Sequence, residues 1–485
     1  MNANITPYPD SVHEHDGSRY MIARIGGAKK LVIENTGGSA AAFEGESTSD
    51  PDGSARKICP LSNANAAALK TLFPGIGPVS FKGRKYSIGL GDRLGLASPG
   101  HIRVLKGLDV FPVLAQQSMR ELNLTGRTYD DVLSAAVWAV FWEGWREGWG
   151  ADGDHLKTPA EIAMALNCGF TMITLDCSDH IDNKAADLSA ADALSAYQAY
   201  SPALRNHFEA KYLGRPYLLP DGSKIEFSAE SLARTMLVYL KAVYYAEDIY
   251  FSRIKPHRCT VDFELSIDET LTSTSSEAHF FVANELAGAG VEIANMAPRF
   301  CGEFQKGIDY IGDIERFRAE YAAHAAIAQH FGYRISVHSG SDKFSVFPDI
   351  GRLTFNGFHV KTAGTNWLEA ARVIARRDPA LYREMHAYAL EHLAEARKYY
   401  HIKGDPANVP ALGTLSDAEL PSLMDRDDSR QIIHISYGLL LSAKNDLNES
   451  IFRDRILKTL DMFEGDYANG LVRHIGKHLE TLGLK

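Results

Sequence analysis

From about Tyr86 onward, short apolar runs recur along the chain, most followed by a segment with helical spacing and each ending in a polar group. Tyr86–Leu90 leads into Gly91, Asp92 and Arg93, Asp109–Ala115 into Gln116, Gln117 and Ser118, and Gly148–Gly153 into Asp154. Phe170–Leu175 ends at Asp176, Cys259–Phe263 at Glu264, and Val291–Met296 near Arg299 and Glu303. Tyr333–Val337 ends at His338 and Leu353–Val360 at Lys361. Short, mostly apolar runs of this kind are expected of strands buried on both faces of a parallel sheet. Eight of them alternating with helices predict an α/β fold, a (β/α)8 TIM-type barrel whose polar strand ends converge on one face.

Ala151–Asp182 shows the unit in full. Thr158, Pro159 and Glu161 read as an N-cap, a first-turn proline and a capping-box acid. Ile162, Ala163 and Leu166 share a helix face, and Gly169 follows the helix end. Asp154 and His155 precede this helix, while Asp176, Asp179 and His180 follow the next strand. Both groups are predicted to open beyond strand carboxyl ends.

Three regions lie outside the repeat. Residues 1–80 form an N-terminal extension, with strands at Met21–Arg24 and Lys30–Glu34, a loop over Ser39–Ser54 and a helix over Ser62–Leu72. Residues 81–378 form the catalytic barrel, closed by Trp367–Arg376. Within it, residues 185–256 are too long for one crossover and predict helices over Ala190–Tyr212 and Ala229–Tyr250 around a turn at Pro216–Gly222. This insertion after strand four is placed where it could cover the site. Residues 379–485 form a C-terminal helical region, with helices over Pro379–Tyr399, Gln431–Ala443 and Asn448–Phe463. In the segment Tyr129–Arg146, the spacing of Trp138, Phe141, Trp142 and Trp145 reads as core packing.

Composition narrows the function. The hydrophobic fraction of 45% is that of a globular protein, and a net charge of −10 argues against nucleic-acid binding. Five scattered cysteines without a CxxC predict free, mostly buried thiols. There is no signal-peptide pattern and no apolar run near the roughly 20 residues of a membrane span, so no membrane partner and a cytoplasmic location are expected. A homo-oligomer is compatible with the sequence. No GxGxxG, P-loop, GxSxG or HExxH motif occurs, which removes support for nucleotide and serine-hydrolase chemistry.

The candidate chemistry lies at the strand ends. His338 precedes a Ser339-Gly340-Ser341-Asp342-Lys343 turn. His is a common metal ligand, and such a turn offers N–H groups to an anion. Glu264 can bind metal or act as a base. Asp268 and Glu269 read equally well as a solvated acidic loop. Arg299, Glu303 and Lys306 fall together after strand six, where cations could hold a substrate carboxylate. Asp154 beside His155 places a proton acceptor next to a ligand-type imidazole.

The segments TLDCSDHIDN, DFELSIDET, APRFCGEFQKGIDYIGD, HSGSDKFSVFP and FHVKTAGTNWLEA together resemble the tagaturonate epimerase family, over about residues 80–380. That resemblance implies an isomerase of hexuronate catabolism that interconverts tagaturonate and fructuronate. A fainter similarity links Asp154-His155, Gly169–Asp176, Val261–Glu264 and His338–Ser341 to class II, metal-dependent aldolases. Where those aldolases carry a further metal-binding His, this chain reads Phe300-Cys301-Gly302-Glu303. The two resemblances together imply inversion at C4 (ketose numbering) by retro-aldol cleavage and re-formation of C3–C4, with a divalent metal as Lewis acid. They assign the metal to His155, Glu303 and His338, with Glu264 the other candidate for the third ligand. Zn, Mn, Co and Ni all suit such a set. Asp154 and Glu264 become the acid/base pair, and Gln117, Asp176, Arg299, Lys306, Ser339, Ser341, Asp342 and Lys361 the substrate contacts. The alternatives are an aldolase or isomerase acting on a related sugar acid, a non-catalytic sugar-acid binder, and, without a fingerprint loop to support it, transient oxidation at C4 by a nicotinamide.

Overall fold

A computed structural model describes residues 5–49 and 55–485. Eight parallel strands close into a barrel. They are β1 (Ser87–Gly89), β2 (Phe111–Gln117), β3 (Gly150–Leu156), β4 (Met172–Asp176), β5 (Asp262–Ser266), β6 (Asn295–Ala297), β7 (Arg334–Val337) and β8 (Phe358–Lys361). Every strand falls on or beside an apolar run read from the sequence. Each is almost wholly buried, which is why the runs show no alternation.

The Ala151–Asp182 unit forms as its local signals dictate. Thr158 and Glu161 make a reciprocal capping box, Pro159 starts the helix Pro159–Cys168, and Gly169 ends it at φ +95°. Removing such a cap costs about 1 kcal/mol. Gly153 is required by packing, since a Cβ there would lie 2.9 Å from Leu156 and 3.0 Å from Ala165 of the covering helix.

The N-terminal extension contains a five-stranded antiparallel sheet. The expected strands lie within Ser18–Ile25 and Ala28–Glu34. The predicted loop instead contributes an edge strand, Glu46–Ser49, paired with Ala55–Cys59, and its end at 50–54 lies outside the described residues. The extension packs on the aromatic helix Tyr129–Trp142 through Tyr8 against Trp142 and His13 against Phe141.

The insertion folds as Ala190–Tyr197, Pro202–Tyr212 and Ala229–Ile249. Pro202 splits the first predicted helix because its ring occupies a first-turn position. The predicted turn carries a small hairpin, Tyr217–Leu218 with Lys224–Ile225.

In the C-terminal region, Asn448–Phe463 shortens to Arg453–Met462, and a further helix, Glu464–Thr481, goes beyond the sequence expectation. That last helix lies on the barrel helix Ser98–Leu105, where Gly100 has no room for a Cβ beside Leu471 and Ala468. Trp367, Leu368 and Ile374 of the helix after β8 (Thr365–Arg377) share one apolar core with Ile432, Tyr437 and Leu471. All five cysteines are free, and Cys259 is exposed. Among the described residues, no helix is long and apolar enough to cross a membrane.

Candidate active site

At the carboxyl ends of the strands, Lys361 from β8 is buried among carboxylates. Its Nζ lies 2.6 Å from Asp154, 2.9 Å from Glu264 and 3.0 Å from Asp152. It also donates to Thr174 Oγ1 at 2.7 Å. Burial opposes the charge on Lys361, but the three carboxylates outweigh it and hold the ammonium protonated. Burial likewise opposes ionisation of Asp154 and Glu264. Lys361, with His155 beside Asp154 and His338 beside Glu264, reverses that and keeps both well below the usual carboxylate range. Asp152 sits deeper and is pushed up to about 6 by burial.

Asp154 and His155 both reach the cavity because β3 is irregular. Neighbours on a regular strand point to opposite faces. Here the β3–β4 register shifts between Gly153 and Leu156, and His155 takes φ +54°. His155 Nδ1 then lies 2.7 Å from Asp154 Oδ1, and its ring centroid is 4.7 Å from that of His338. His338 is held from two sides, by Glu264 at 2.8 Å on Nε2 and by Asp268 at 3.0 Å on Nδ1. Burial alone would deprotonate His338, yet these acids raise it to about 10.

His155, Asp268 and His338 form a ligand set whose donor atoms lie within 4.8 Å of one another. The set suits a divalent cation. Asp154, Glu264 and Asp268 lie against the two imidazoles, and the same Asp154 and Glu264 against Lys361, so carboxylates raise the charge of His338 and draw positive charge to this set. A metal bound there would take a deprotonated imidazole, the usual coupling of metal binding to ligand deprotonation.

Glu303 is not brought to this set. Its carboxylate is 40% exposed and pairs with Lys403 at 2.8 Å, and Asp268 from the loop after β5 stands beside the histidines in its place. Glu264 is fully buried behind His338. One of its oxygens accepts from Lys361, Thr174 and His338, and the other from Asn295 Nδ2 at 3.0 Å. It orients His338 and does not line the cavity.

Among the expected substrate contacts, Lys306, Ser339, Ser341 and Lys361 line the same cavity as Asp154, His155 and His338, and Lys306 donates to Ser339 at 2.9 Å. Arg299 lines an adjoining cavity of about 320 Å³ that shares Asp268, Glu269, His338 and Ser339 with the first. Three expected contacts lie elsewhere. Gln117 is spent on Asp92 O and Arg93, and Gln116 lines the cavity instead, donating to Asp154 at 3.3 Å. Their order on β2 follows a register shift between Val113 and Ala115. Asp176 accepts from Ser178 N at 2.8 Å and so closes its own turn, while His180 stacks on Tyr245. Asp342 is buried between Arg430 and His474. A second His/Asp group, Asp342, His474 and His478, is already saturated. His474 bonds Asp342 and Glu369, and His478 accepts from Asp342 N and bonds His474 O.

Three lining groups have no sequence signal of their own, Arg120, Glu121 and His434, whereas Arg93 follows the first apolar run. Arg93 pairs with Glu121 and faces the Tyr437 ring, and Arg120 faces Tyr400. Both tyrosines and His434 belong to the C-terminal region. None of the lining residues of either cavity comes from 185–256, so the cover comes from the chain end and not from the insertion.

A closed (β/α)8 barrel with ionised acids, imidazoles and ammonium groups gathered at its carboxyl face defines a barrel enzyme of the kind that moves protons on a small polar substrate. The model of the tagaturonate epimerase family matches residues 8–482, and the chain belongs to that family. It is an isomerase. A tagaturonate/fructuronate epimerase of Thermotoga maritima is 40% identical over 479 residues, covering 98% of this chain and 96% of its own. The crystal structure of a fructuronate-tagaturonate epimerase from Cohnella laeviribosi, complexed with glycerol, is 51% identical with a TM-score of 0.96, covering 99% of this chain and 97% of that one. Its native form gives the same identity and TM-score.

Proposed function

We propose that the protein interconverts D-tagaturonate and D-fructuronate by inverting C4, through reversible cleavage of C3–C4 at a divalent-metal site formed by His155, Asp268 and His338. The observation that carries this reading is one cavity that combines the ionised Asp154, this ligand set and a separate group of cations, Arg93, Arg120 and Lys306. The proton on C4 of a 2-ketose is not acidic, because C4 is β to the carbonyl. The hydroxyl proton at C4 can be removed, and Asp154 is the acceptor. As it leaves, C3–C4 breaks and its electron pair becomes the C2–C3 enediolate. After the aldehyde turns, the bond re-forms on its other face and the protonated Asp154 returns the proton to the C4 oxygen. A bound divalent cation supplies Lewis-acid stabilisation of charge on substrate oxygens. Lys361 keeps Asp154 ionised, Glu264 fixes the His338 ring, and the cation group takes the uronate carboxylate.

The test is NMR of D-fructuronate incubated with the enzyme before and after chelation, then with metal restored. Tagaturonate should form only with metal present. Accumulating three-carbon fragments would identify an aldolase, and no conversion with any divalent metal would overturn the reading.

A further inference from the structure

His434 lies on the helix Asp427–Ile435, far along the chain from every barrel strand, yet it lines the active cavity. We propose that His434 is a substrate-binding residue, which hydrogen-bonds the carboxylate end of the uronate and makes the C-terminal region part of the active site. This inference rests on the uronate reading above and adds a residue to it.

Two glycines make room for the ring. At Gly364, after β8, a Cβ would overlap His434 Cε1 and lie 2.6 Å from Nε2. At Gly307, after β6, a Cβ would lie 3.1 Å from Nδ1, and this glycine also takes φ +77°, which disfavours a side chain. Two loops of the barrel therefore leave space for one imidazole at the cavity wall. The ring is buried, and its Nδ1 has no hydrogen-bond partner in the structure. Nδ1 is shut off against the Gly307 turn, so the nitrogen left to the cavity is Nε2, on the side of Gly364, which also lines it. No protein group bonds Nε2, and a buried polar atom is nearly always bonded, so a hydrogen bond to substrate there would complete the ring's partners.

The charge state fits an acidic ligand end. Burial, then Lys306 and Arg93, hold His434 well below its usual range, so the ring is neutral, with one donor and one acceptor nitrogen. It adds a donor beside two cations without adding repulsion between positive groups.

The test is steady-state epimerisation of D-fructuronate by metal-loaded full-length variants. His434→Ala should lower kcat/KM about 10- to 100-fold, mainly through KM, as expected for losing a hydrogen bond to a charged group. Metal content should stay that of the wild type, and His434→Gln, which keeps a donor, should recover part of the loss. Gly364→Ala should also lose activity, and Gly364→Ala/His434→Ala should return to the level of His434→Ala alone, because the clash is gone. A His434→Ala variant with wild-type kcat/KM, or a fully active Gly364→Ala variant, would overturn the proposal. A wild type that does not convert fructuronate would overturn the substrate reading itself.

Discussion

Asp154 carries the proton in this account, and the prediction at residue scale is direct. Asp154→Asn should keep its metal and lose about 100- to 10,000-fold in kcat, the usual range for a general base. Full activity would place the base elsewhere. The ligand set gives a second contrast. His338→Ala and Asp268→Asn should lose bound divalent metal on elemental analysis, while Glu303→Gln should keep it because Glu303 is tied to Lys403. Metal loss in Glu303→Gln would restore the set read from sequence. Asp154, His155, His338 and Lys361 were legible because each ends an apolar run. Asp268 was not, since acids after a strand look the same whether they face solvent or an imidazole. Gln116 and Gln117 were exchanged because a register shift in β2 leaves no mark in composition.

At the scale of elements, the eight strands were legible from short apolar runs, and the helix after β3 from its cap. The last helix, Glu464–Thr481, falls in the region read as helical, but its bounds were not legible because no side-chain cap marks its start. Its docking includes His474 between Asp342 and Glu369. Burial opposes protonation of His474, but the two carboxylates raise it to about 9. A raised value stabilises the fold fully below the unfolded value of about 6.5, and the contribution is lost as pH rises through 9. Denaturant titrations should therefore show stability falling by up to about 3 kcal/mol between pH 6.5 and 9. His474→Gln should flatten that dependence, and an unchanged slope in this variant would show that another group is responsible.

At the scale of the whole molecule, the boundary at 378/379 separates sequence patterns and does not separate cores. The helix after β8 buries Trp367 and Leu368 against the C-terminal helices, and His434 enters the cavity from the same region. Unfolding should accordingly be a single calorimetric transition, and a chain ending at residue 378 should not fold as an active barrel. A separate transition for residues 379–485 would contradict this. If C3–C4 breaks and re-forms, the C4–H bond stays intact throughout. ¹H NMR of D-fructuronate turned over by metal-loaded enzyme in D₂O reads that bond. Tagaturonate should retain protium at C4, and deuterium there would mean that the C4–H bond had been broken.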